Sequence, residues 1–360
     1  MERRYRKPLS ETLKSLKPFV FSLAPLLLVL LIAEMLVRFV VQPDIMLYNY
    51  ETSNFNSDST HMLIPHPTRI WGLSTGVSNA HGARHVVGDN GLRRVEETGA
   101  GLKALTIGDS SIFGHGLSDD ETLHSQLSKS FLLRGLEVDV YCGGVPGYST
   151  EQSLLLLDEQ GWKLEPDLLV IGSLWSDNNY DLFVDKEWLE ELRSPVRIFD
   201  KYMYWSSLWS LVRRGQVPDN ISKEGALPVG WVRSPYPADS GYRRVPIDDY
   251  KLNLATMLEE ASERNIGVVF LAPSNRYLLS NGLSESTWDS YFEAMRIIAK
   301  EWGVPVVDAS EVLKKYSIET ETAFLDEMHP TGVANSLYAT EIIDTIILSG
   351  WPSDPMVPSL

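Results

Sequence analysis

Cysteine is almost absent from this sequence, which contains a single one, Cys142, in 360 residues. One cysteine cannot form an internal disulfide, so we expect Cys142 to be a small buried residue beside a strand end. The sequence also lacks a cluster of histidine and carboxylate residues at metal-ligand spacing, so we expect no metal and no other cofactor. No internal repeat is visible.

Positive charge is scarce and unevenly placed. Lysine and arginine number 32 against 48 aspartate and glutamate residues, for a net charge of −16. Residues 1–42 hold seven basic and three acidic residues, a balance of +4, so the rest of the chain carries −20. Because phosphate contacts need clustered cations, we do not expect the acidic part to bind nucleic acid or anionic lipid.

The longest apolar stretch lies near the N-terminus, from Phe19 to Val41. As a helix, it would span about 34 Å, enough to cross a hydrocarbon core of about 30 Å. Glu34 and Arg38 interrupt it at i,i+4 spacing and are expected to pair near the outer interface. Basic residues before the stretch predict a cytoplasmic N-terminus and an extracytoplasmic remainder. A cleaved signal peptide is the alternative, although no small-x-small cleavage site precedes Gln42.

The length and composition indicate one large domain with an anchor, and 44% apolar residues suffice for a core. We expect a basic cytoplasmic N-terminus (1–18), a transmembrane helix (19–41), a stalk and lead-in (42–100), an α/β domain (101–350) and a C-terminal tail (351–360). The lead-in is rich in Asn, Ser, His and Gly, and is expected to pack irregularly on the main domain.

From Lys103 onward, strand and helix patterns alternate. Strands are expected at 103–108, 137–142, 167–174, 266–272 and 304–308, and helices at 119–134, 149–161, 247–264, 284–302 and 332–348. Short β-rich runs between helical patterns predict a parallel sheet covered on both faces. Ligands of such sheets bind outside the carboxyl ends of the strands.

The alternation stops between 180 and 246, where we expect an inserted cap. Aromatic residues crowd this segment: Trp188, Tyr202, Tyr204, Trp205, Trp209, Trp231, Tyr236 and Tyr242. They can form an apolar or sugar-stacking pocket, or simply bury the insertion against the sheet. The pairs Arg213-Arg214 and Arg243-Arg244 are expected at the solvated surface.

A candidate nucleophile stands where the first strand of the alternating region ends. After the apolar run, Gly108 permits a sharp turn, and Asp109 and Ser110 can cap the helix that follows. An exposed serine at such a turn is a candidate nucleophile, although the same residues also occur in ordinary turns.

A candidate base for Ser110 lies near the C-terminus, in a loop before the last helix. Serine needs a base to take its proton, and the base needs a third group to fix its tautomer. Asp326 and His329, three residues apart, can supply both and complete a triad. The remaining histidines are expected to be structural or surface residues: His61, His66, His81, His85, His115 and His124.

These segments resemble the SGNH (GDSL-type) hydrolase family of esterases, lipases and carbohydrate deacetylases, roughly over residues 88–347. Gly108-Asp109-Ser110 with Gly114 resembles the nucleophile block, and Asp326 with His329 the final block. The resemblance implies a flavodoxin-like three-layer α/β/α fold with a parallel sheet, preceded here by one transmembrane helix. It makes Ser110 the nucleophile, His329 the general base and Asp326 its partner.

The resemblance also implies donors for an oxyanion hole. Residues 142–149 are similar to the second block, in which a glycine N–H contacts the oxyanion; this assigns Gly144, with Gly143 as the near alternative, beside the N–H of Ser110 itself. Residues 88–93 resemble a turn found before the first strand in membrane-anchored members and are given no catalytic role.

The third block departs from the family pattern G-x-N-D. If Asp177 is the aspartate of the block, Ser176 stands where the asparagine is expected. In an extended segment Ser176 and Asn178 would point to the same side, about 6 to 7 Å apart. The third oxyanion donor is therefore predicted to be Asn178 or Ser176. Loss of one donor costs roughly 10² to 10³ in turnover, so the enzyme could be slow or unusual.

The resemblance implies a membrane-anchored esterase that acts outside the cytoplasm on an acyl ester or an acylated carbohydrate. One alternative is an O-acyltransferase that modifies envelope or surface polysaccharide with the same triad. The other is a non-catalytic scaffold that binds a glycan through the aromatic insertion. The sequence does not separate the first two, and the altered third block favours the last.

Overall fold

The computed structural model describes residues 25–41, 63–66, 68–80, 83–88, 91–93, 99, 101–181, 184–196, 199, 203, 206–214, 242–282, 288–354 and 356–359. The chain divides into two compact units. One comprises Met1–Tyr50 and Pro195–Ala226, and the other comprises Glu51–Ser194 and Leu227–Leu360.

The larger unit is built on a five-stranded parallel sheet. The described residues also form shorter strands outside this sheet. In chain order, all the strands are β1 (Leu63–His66), β2 (Ile70–Leu73), β3 (Gly76–Ala80), β4 (Ala83–Val87), β5 (Leu102–Gly108), β6 (Val138–Gly144), β7 (Leu168–Gly172), β8 (Tyr180–Asp181), β9 (Tyr242–Arg243), β10 (Gly267–Ala272) and β11 (Val306–Asp308). The sheet order is β11-β10-β7-β5-β6, with every neighbouring pair parallel. Numbered along the chain, this is the flavodoxin-like order 2-1-3-4-5.

The helices of the described residues are α1 (25–36), α2 (Ser110–Phe113), α3 (Leu123–Leu133), α4 (Thr150–Leu156), α5 (Trp175–Asn178), α6 (Asp185–Arg193), α7 (Ser207–Arg214), α8 (Ile247–Glu263), α9 (Arg276–Asn281), α10 (Asp289–Glu301), α11 (Ala309–Lys315), α12 (Thr320–Ala323) and α13 (Gly332–Leu348). Helices of the larger unit cover both faces of the sheet. α3, α11 and α13 pack on one face, while α4, α8 and α10 pack on the other. The prediction of a parallel α/β sheet is confirmed.

The predicted strands and long helices lie within a few residues of the observed ones. The strand predicted to reach residue 174 ends at Gly172, because α5 begins at Trp175. The helix predicted at 149–161 ends at Leu156 and continues as a π-helical turn, Leu157–Gly161. The short helices α9 and α11, of six and seven residues, escaped prediction because they carry too little periodicity.

The lead-in is more regular than the sequence suggests. β1 pairs with β2, and β3 with β4, as antiparallel hairpins. Trp71, which is fully buried, donates from its indole nitrogen to the carbonyl of Pro146, and the hydroxyl of Tyr148 donates to the carbonyl of Trp71. The first hairpin is thereby fixed to the loop after β6.

The smaller unit contains α1, which continues as a π-helical turn at Val37–Val41, and α7. Glu34 pairs with Arg38 at 3.0 Å, as their spacing predicts. The same carboxylate accepts from the N–H groups of Ser207 and Leu208 and so caps α7. Among the described residues, no helix has the length and apolar character needed to cross a membrane; part of the predicted 19–41 segment lies outside them.

The insertion is described in part. Its two ends lie side by side, because β8 and β9 form a short antiparallel pair. Trp188, Trp209 and Tyr242 belong to the described residues, and Tyr242 is 53% exposed. The other aromatic residues predicted to line a cap lie outside the described residues, as do His61 and His81.

Candidate active site

The nucleophile turn follows directly from the end of β5. A Cβ atom on Gly108 would lie 2.6 Å from the carbonyl oxygen of Gly172 on the neighbouring strand, so only glycine fits there. Asp109 then caps α2 by accepting the N–H of Ser111 at 2.9 Å. Ser110 is thus the first residue of a short helix at the carboxyl end of the sheet.

The structure brings Ser110, His329 and Asp326 together. Nε2 of His329 lies 2.9 Å from Oγ of Ser110, and Nδ1 lies 2.7 Å from Oδ2 of Asp326. Nδ1 therefore donates to the carboxylate, and Nε2 is left to accept from the serine hydroxyl. A serine whose proton can pass to an oriented imidazole is the arrangement required for nucleophilic attack on an acyl carbon.

The carboxyl of Asp326 is held in its ionised form. Burial raises its pKa, but the hydrogen bond from His329 and those from the N–H groups of Met328 and His329 outweigh burial and keep the pKa well below its usual range. A carboxylate that stays charged can stabilise the imidazolium formed when Ser110 gives up its proton.

Arg276 fixes the loop that carries Asp326 and His329. Its guanidinium donates to the carbonyl of Asp326 at 2.7 Å and to that of Phe324 at 3.1 Å. Its backbone N–H donates to the carbonyl of Glu327. The loop is closed by the N–H of Leu325, which donates to the carbonyl of His329 at 2.8 Å. Nothing in the local sequence marks Arg276 for this role.

Arg93 holds the far end of the nucleophile turn. Its fully buried guanidinium donates to the carbonyls of Phe113, Gly114 and Leu117, and it pairs with Asp119 at 2.8 Å. Arg93 belongs to the turn at residues 88–93, for which no catalytic role was predicted. A buried cation beside the last carbonyls of α2 satisfies groups that a short helix leaves unpaired.

The second and third blocks are joined by a buried network. Asp177 accepts from the N–H and the hydroxyl of Thr150, at 2.9 and 2.5 Å. Burial raises the pKa of Asp177 to about 7, although the hydrogen bonds from Thr150 act against it. Nearby, Arg244 forms an ion pair with Asp185 at 2.7 Å, and both side chains are fully buried. The expectation that Arg244 lies at the solvated surface was therefore wrong.

The structure also corrects the assumption that Ser176 and Asn178 of the third block lie in an extended segment. Residues 175–178 form the helical turn α5 and are not extended. In a helix, positions two apart project to opposite sides, so Ser176 and Asn178 cannot both face Ser110. Both are 4% exposed, and Oδ1 of Asn178 accepts from Arg243, which leaves the amide NH₂ pointing away from that cation. The N–H of Trp175 faces the carboxyl of Asp109, so the turn adjoins the nucleophile.

Gly144 lies directly against α2. A Cβ atom there would be 2.5 Å from the backbone nitrogen of Phe113, so glycine is required for this packing. The thiol of the neighbouring Cys142 donates to the carbonyl of Ile112 in α2 at 3.6 Å, and burial raises its pKa. Cys142 is buried beside the end of β6, as predicted. The oxyanion role of Gly144, and that of Gly143, remain predictions.

The other described histidines differ in their surroundings. His124 is fully buried in α3, where burial lowers its pKa well below the usual value and Nε2 contacts the hydroxyl of Thr122. His66 is partly buried in the first hairpin. His115 is different: its ring centroid lies 4.5 Å from that of His329. Among the described residues, no cluster of three or more His, Cys, Asp or Glu side chains could hold a metal.

Comparison with known proteins finds similar solved structures at low sequence identity. No protein-family model matches the sequence, and no curated protein matches it. The lipase/acylhydrolase from Enterococcus faecalis is 18% identical, with a TM-score of 0.45 over 68% of this chain and 95% of that one. Axe2, an acetylxylan esterase from Geobacillus stearothermophilus, is 14% identical, with a TM-score of 0.45 over 69% and 94%.

LAE5, an α/β hydrolase enzyme from the metagenome of Lake Arreo, Spain, is 15% identical, with a TM-score of 0.44 over 72% of this chain and 98% of that one. At these identities and TM-scores the likeness indicates neither the family nor the activity of this chain.

The buried carboxyl of Asp177 makes stability depend on pH. Its folded-state pKa of about 7 lies above its ordinary value of 3.8, so its contribution is fully present below about pH 4 and is lost as the pH rises through 7. Asp177→Asn keeps an oxygen for Thr150 but does not ionise. We expect its free energy of unfolding, relative to wild type, to rise between pH 4 and 7 by at most about 1.4 kcal/mol per unit.

Denaturant titrations of both proteins at several pH values measure this difference. All other titratable groups are present in both proteins, so their contributions to the pH dependence of unfolding cancel in the difference. A difference that stays constant from pH 4 to 8 would show that Asp177 ionises normally in the folded state.

Proposed function

We propose that the chain is a serine esterase that hydrolyses acyl esters, acetyl esters among them, with Ser110, His329 and Asp326 as its triad. The observation that carries the proposal is the pair of hydrogen bonds at His329, 2.9 Å to the hydroxyl of Ser110 and 2.7 Å to the carboxylate of Asp326. This geometry activates a serine at neutral pH. The reaction needs no metal or other cofactor.

The chemistry is acyl transfer in two steps. Oγ of Ser110 attacks the acyl carbon while Nε2 of His329 takes its proton, and the carbonyl electrons move to the oxyanion. The oxyanion collapses, the bond to the leaving alkoxide breaks, and His329 returns the proton to that oxygen. Water then attacks the acyl-serine while His329 takes its proton. The bond between the acyl carbon and Oγ breaks, His329 returns the proton to Oγ, and the acid is released. Asp326 remains ionised throughout.

We assign the oxyanion to the N–H groups of Ser110 and Gly144 and to one side chain of α5, Asn178 or Ser176. Developing charge in an acyl-transfer transition state is stabilised most by donors already in place. The orientation of the Asn178 amide, fixed by Arg243 on its oxygen, supports Asn178 as the donor.

We further propose that residues 19–41 anchor the protein as a single transmembrane helix, with the N-terminus cytoplasmic and residues after 42 extracytoplasmic. The apolar length and the preceding basic residues support this topology. An acyl ester or acylated carbohydrate outside the cytoplasm is then the substrate, and nucleic acid is not a partner.

Replacing the nucleophile tests the proposal. Ser110→Ala should abolish hydrolysis of small acyl esters, with a loss of roughly 10⁴-fold or more, because the triad acts as a unit. Ser111→Ala is the matched control: Ser111 is 6% exposed, and its hydroxyl makes no hydrogen bond to His329 in the described structure, so the variant should keep most activity. Initial rates on p-nitrophenyl acetate and thermal unfolding of all three proteins supply the measurement.

Inactivity of Ser111→Ala with an active Ser110→Ala would contradict the assignment. Acyl transfer to an added sugar in preference to water would make the protein an O-acyltransferase. Wild-type protein that turns over no acyl ester in either assay, yet binds glycan, would be a non-catalytic scaffold.

Single substitutions in α5 identify the third oxyanion donor. If Asn178 is the donor, Asn178→Ala should lower kcat by about 10² to 10³ with KM nearly unchanged, because the contact forms in the transition state. Ser176→Ala should then lower kcat only slightly. A large loss of kcat in Ser176→Ala with a small one in Asn178→Ala would assign Ser176 as the donor. Small losses in both variants would mean that backbone N–H groups alone form the oxyanion hole.

Topology can be tested independently of catalysis. A tag after Leu360 should be digested by protease added to intact spheroplasts, because the basic residues before Phe19 keep the N-terminus inside. A tag placed before Met1 serves as the control and should survive until the membrane is opened. A protected C-terminal tag would reverse the proposed orientation.

A further inference from the structure

The imidazole of His329 is carried by a loop at the protein surface. The side chain of Asp326 is 53% exposed, and neighbouring Leu325 is 47% exposed. The ring makes two hydrogen bonds, to Asp326 and Ser110, through its nitrogens, whose N–H groups and lone pairs lie in the ring plane. Bonds of this kind restrain the ring only weakly against tilting out of its plane, so another contact must set the tilt.

His115 makes that contact. Its ring lies 4.5 Å from the His329 ring between centroids, with 31° between the planes, so one aromatic face covers the other. The backbone N–H of His115 also donates to the carbonyl of Ser110 at 3.0 Å. A single residue therefore contacts the backbone of the nucleophile and the face of the base.

Arg93 fixes the backbone on both sides of His115. Its guanidinium binds the carbonyl of Gly114, directly before His115, and that of Leu117, two residues after it, both at 3.1 Å. The N–H of Arg93 donates to the carbonyl of Cys142 in β6 at 3.2 Å. The position of the His115 ring is therefore set through Arg93 by the central sheet, and not by the exposed loop that carries His329.

We propose that His115 is a positioning residue for the base: its ring sets the tilt of the His329 imidazole so that Nε2 stays within reach of Ser110, and Arg93 holds His115 in place. The proposal rests on the proposed function of Ser110 and His329. His115 acts through the packing of a flat aromatic face. Phenylalanine can therefore replace it, and alanine cannot.

The test compares His115→Ala with His115→Phe in the full-length protein, using p-nitrophenyl acetate. His115→Ala should lower kcat by about 10- to 100-fold with KM unchanged, because a small misplacement of a catalytic group costs rate and not binding. His115→Phe should restore kcat to within a few-fold of wild type. His66→Ala, at another partly buried histidine, should leave kcat unchanged. Thermal unfolding shows whether any variant has lost its fold.

Two kinetic results would overturn the proposal. Wild-type kcat in His115→Ala would mean that the hydrogen bonds alone hold the ring. Equal loss in both variants, with stability retained, would mean that the imidazole of His115 acts through its nitrogens.

A spectroscopic measurement separates this proposal from the proposed function. The proton on Nδ1 of His329, bonded to Asp326, gives a low-field resonance that broadens when the ring moves and the proton exchanges with water. It should be sharp in wild type and His115→Phe and broad in His115→Ala, even if no ester is turned over. A resonance equally sharp in all three, or broad in His115→Phe, would exclude a positioning role, whereas absence of turnover alone would refute only the esterase.

Discussion

The hydrogen bond between Ser110 and His329 joins residues 219 positions apart, and much of the architecture serves to keep its two ends together. Ser110 is placed by the sharp turn after β5, an inner strand of the parallel sheet between β7 and β6. His329 is placed by the loop before α13, which packs on one face of the same sheet. Because strands in a parallel sheet all end at one edge, both groups reach the same side of the domain.

Buried or half-buried arginine side chains hold the loops at the carboxyl edge of the sheet in place. Arg93 binds three carbonyls after α2, Arg276 binds two in the loop of the base, and Arg244 binds the carbonyl of Gly147 in the loop after β6. Each guanidinium carries several donors in a rigid plane, so one side chain satisfies carbonyls that no strand or helix pairs. Such loops gain fixed positions without regular secondary structure.

The sequence allowed the sheet and the long helices to be predicted, because each depends on local pattern. It also singled out Ser110, Asp326 and His329, which the structure brings together and whose catalytic role is proposed here. Apolar β-rich runs mark β5 and β10, and turn residues mark the neighbourhoods of Ser110 and His329. Burial of charge was not predictable: Arg244 is buried only because Asp185 is buried beside it, and no local pattern reports that pairing. The helical form of α5 was also missed, since four residues show no periodicity.

Covalent labelling of Ser110 tests the central claim most directly. A fluorophosphonate probe reacts with a serine only when a base has activated it, whatever the natural ester is. Peptide mass mapping of the labelled full-length protein should find the adduct on Ser110, and His329→Ala should lose it while retaining its fold. Label on another serine, or none on folded wild-type protein, would contradict the account of this site as a serine nucleophile activated by histidine.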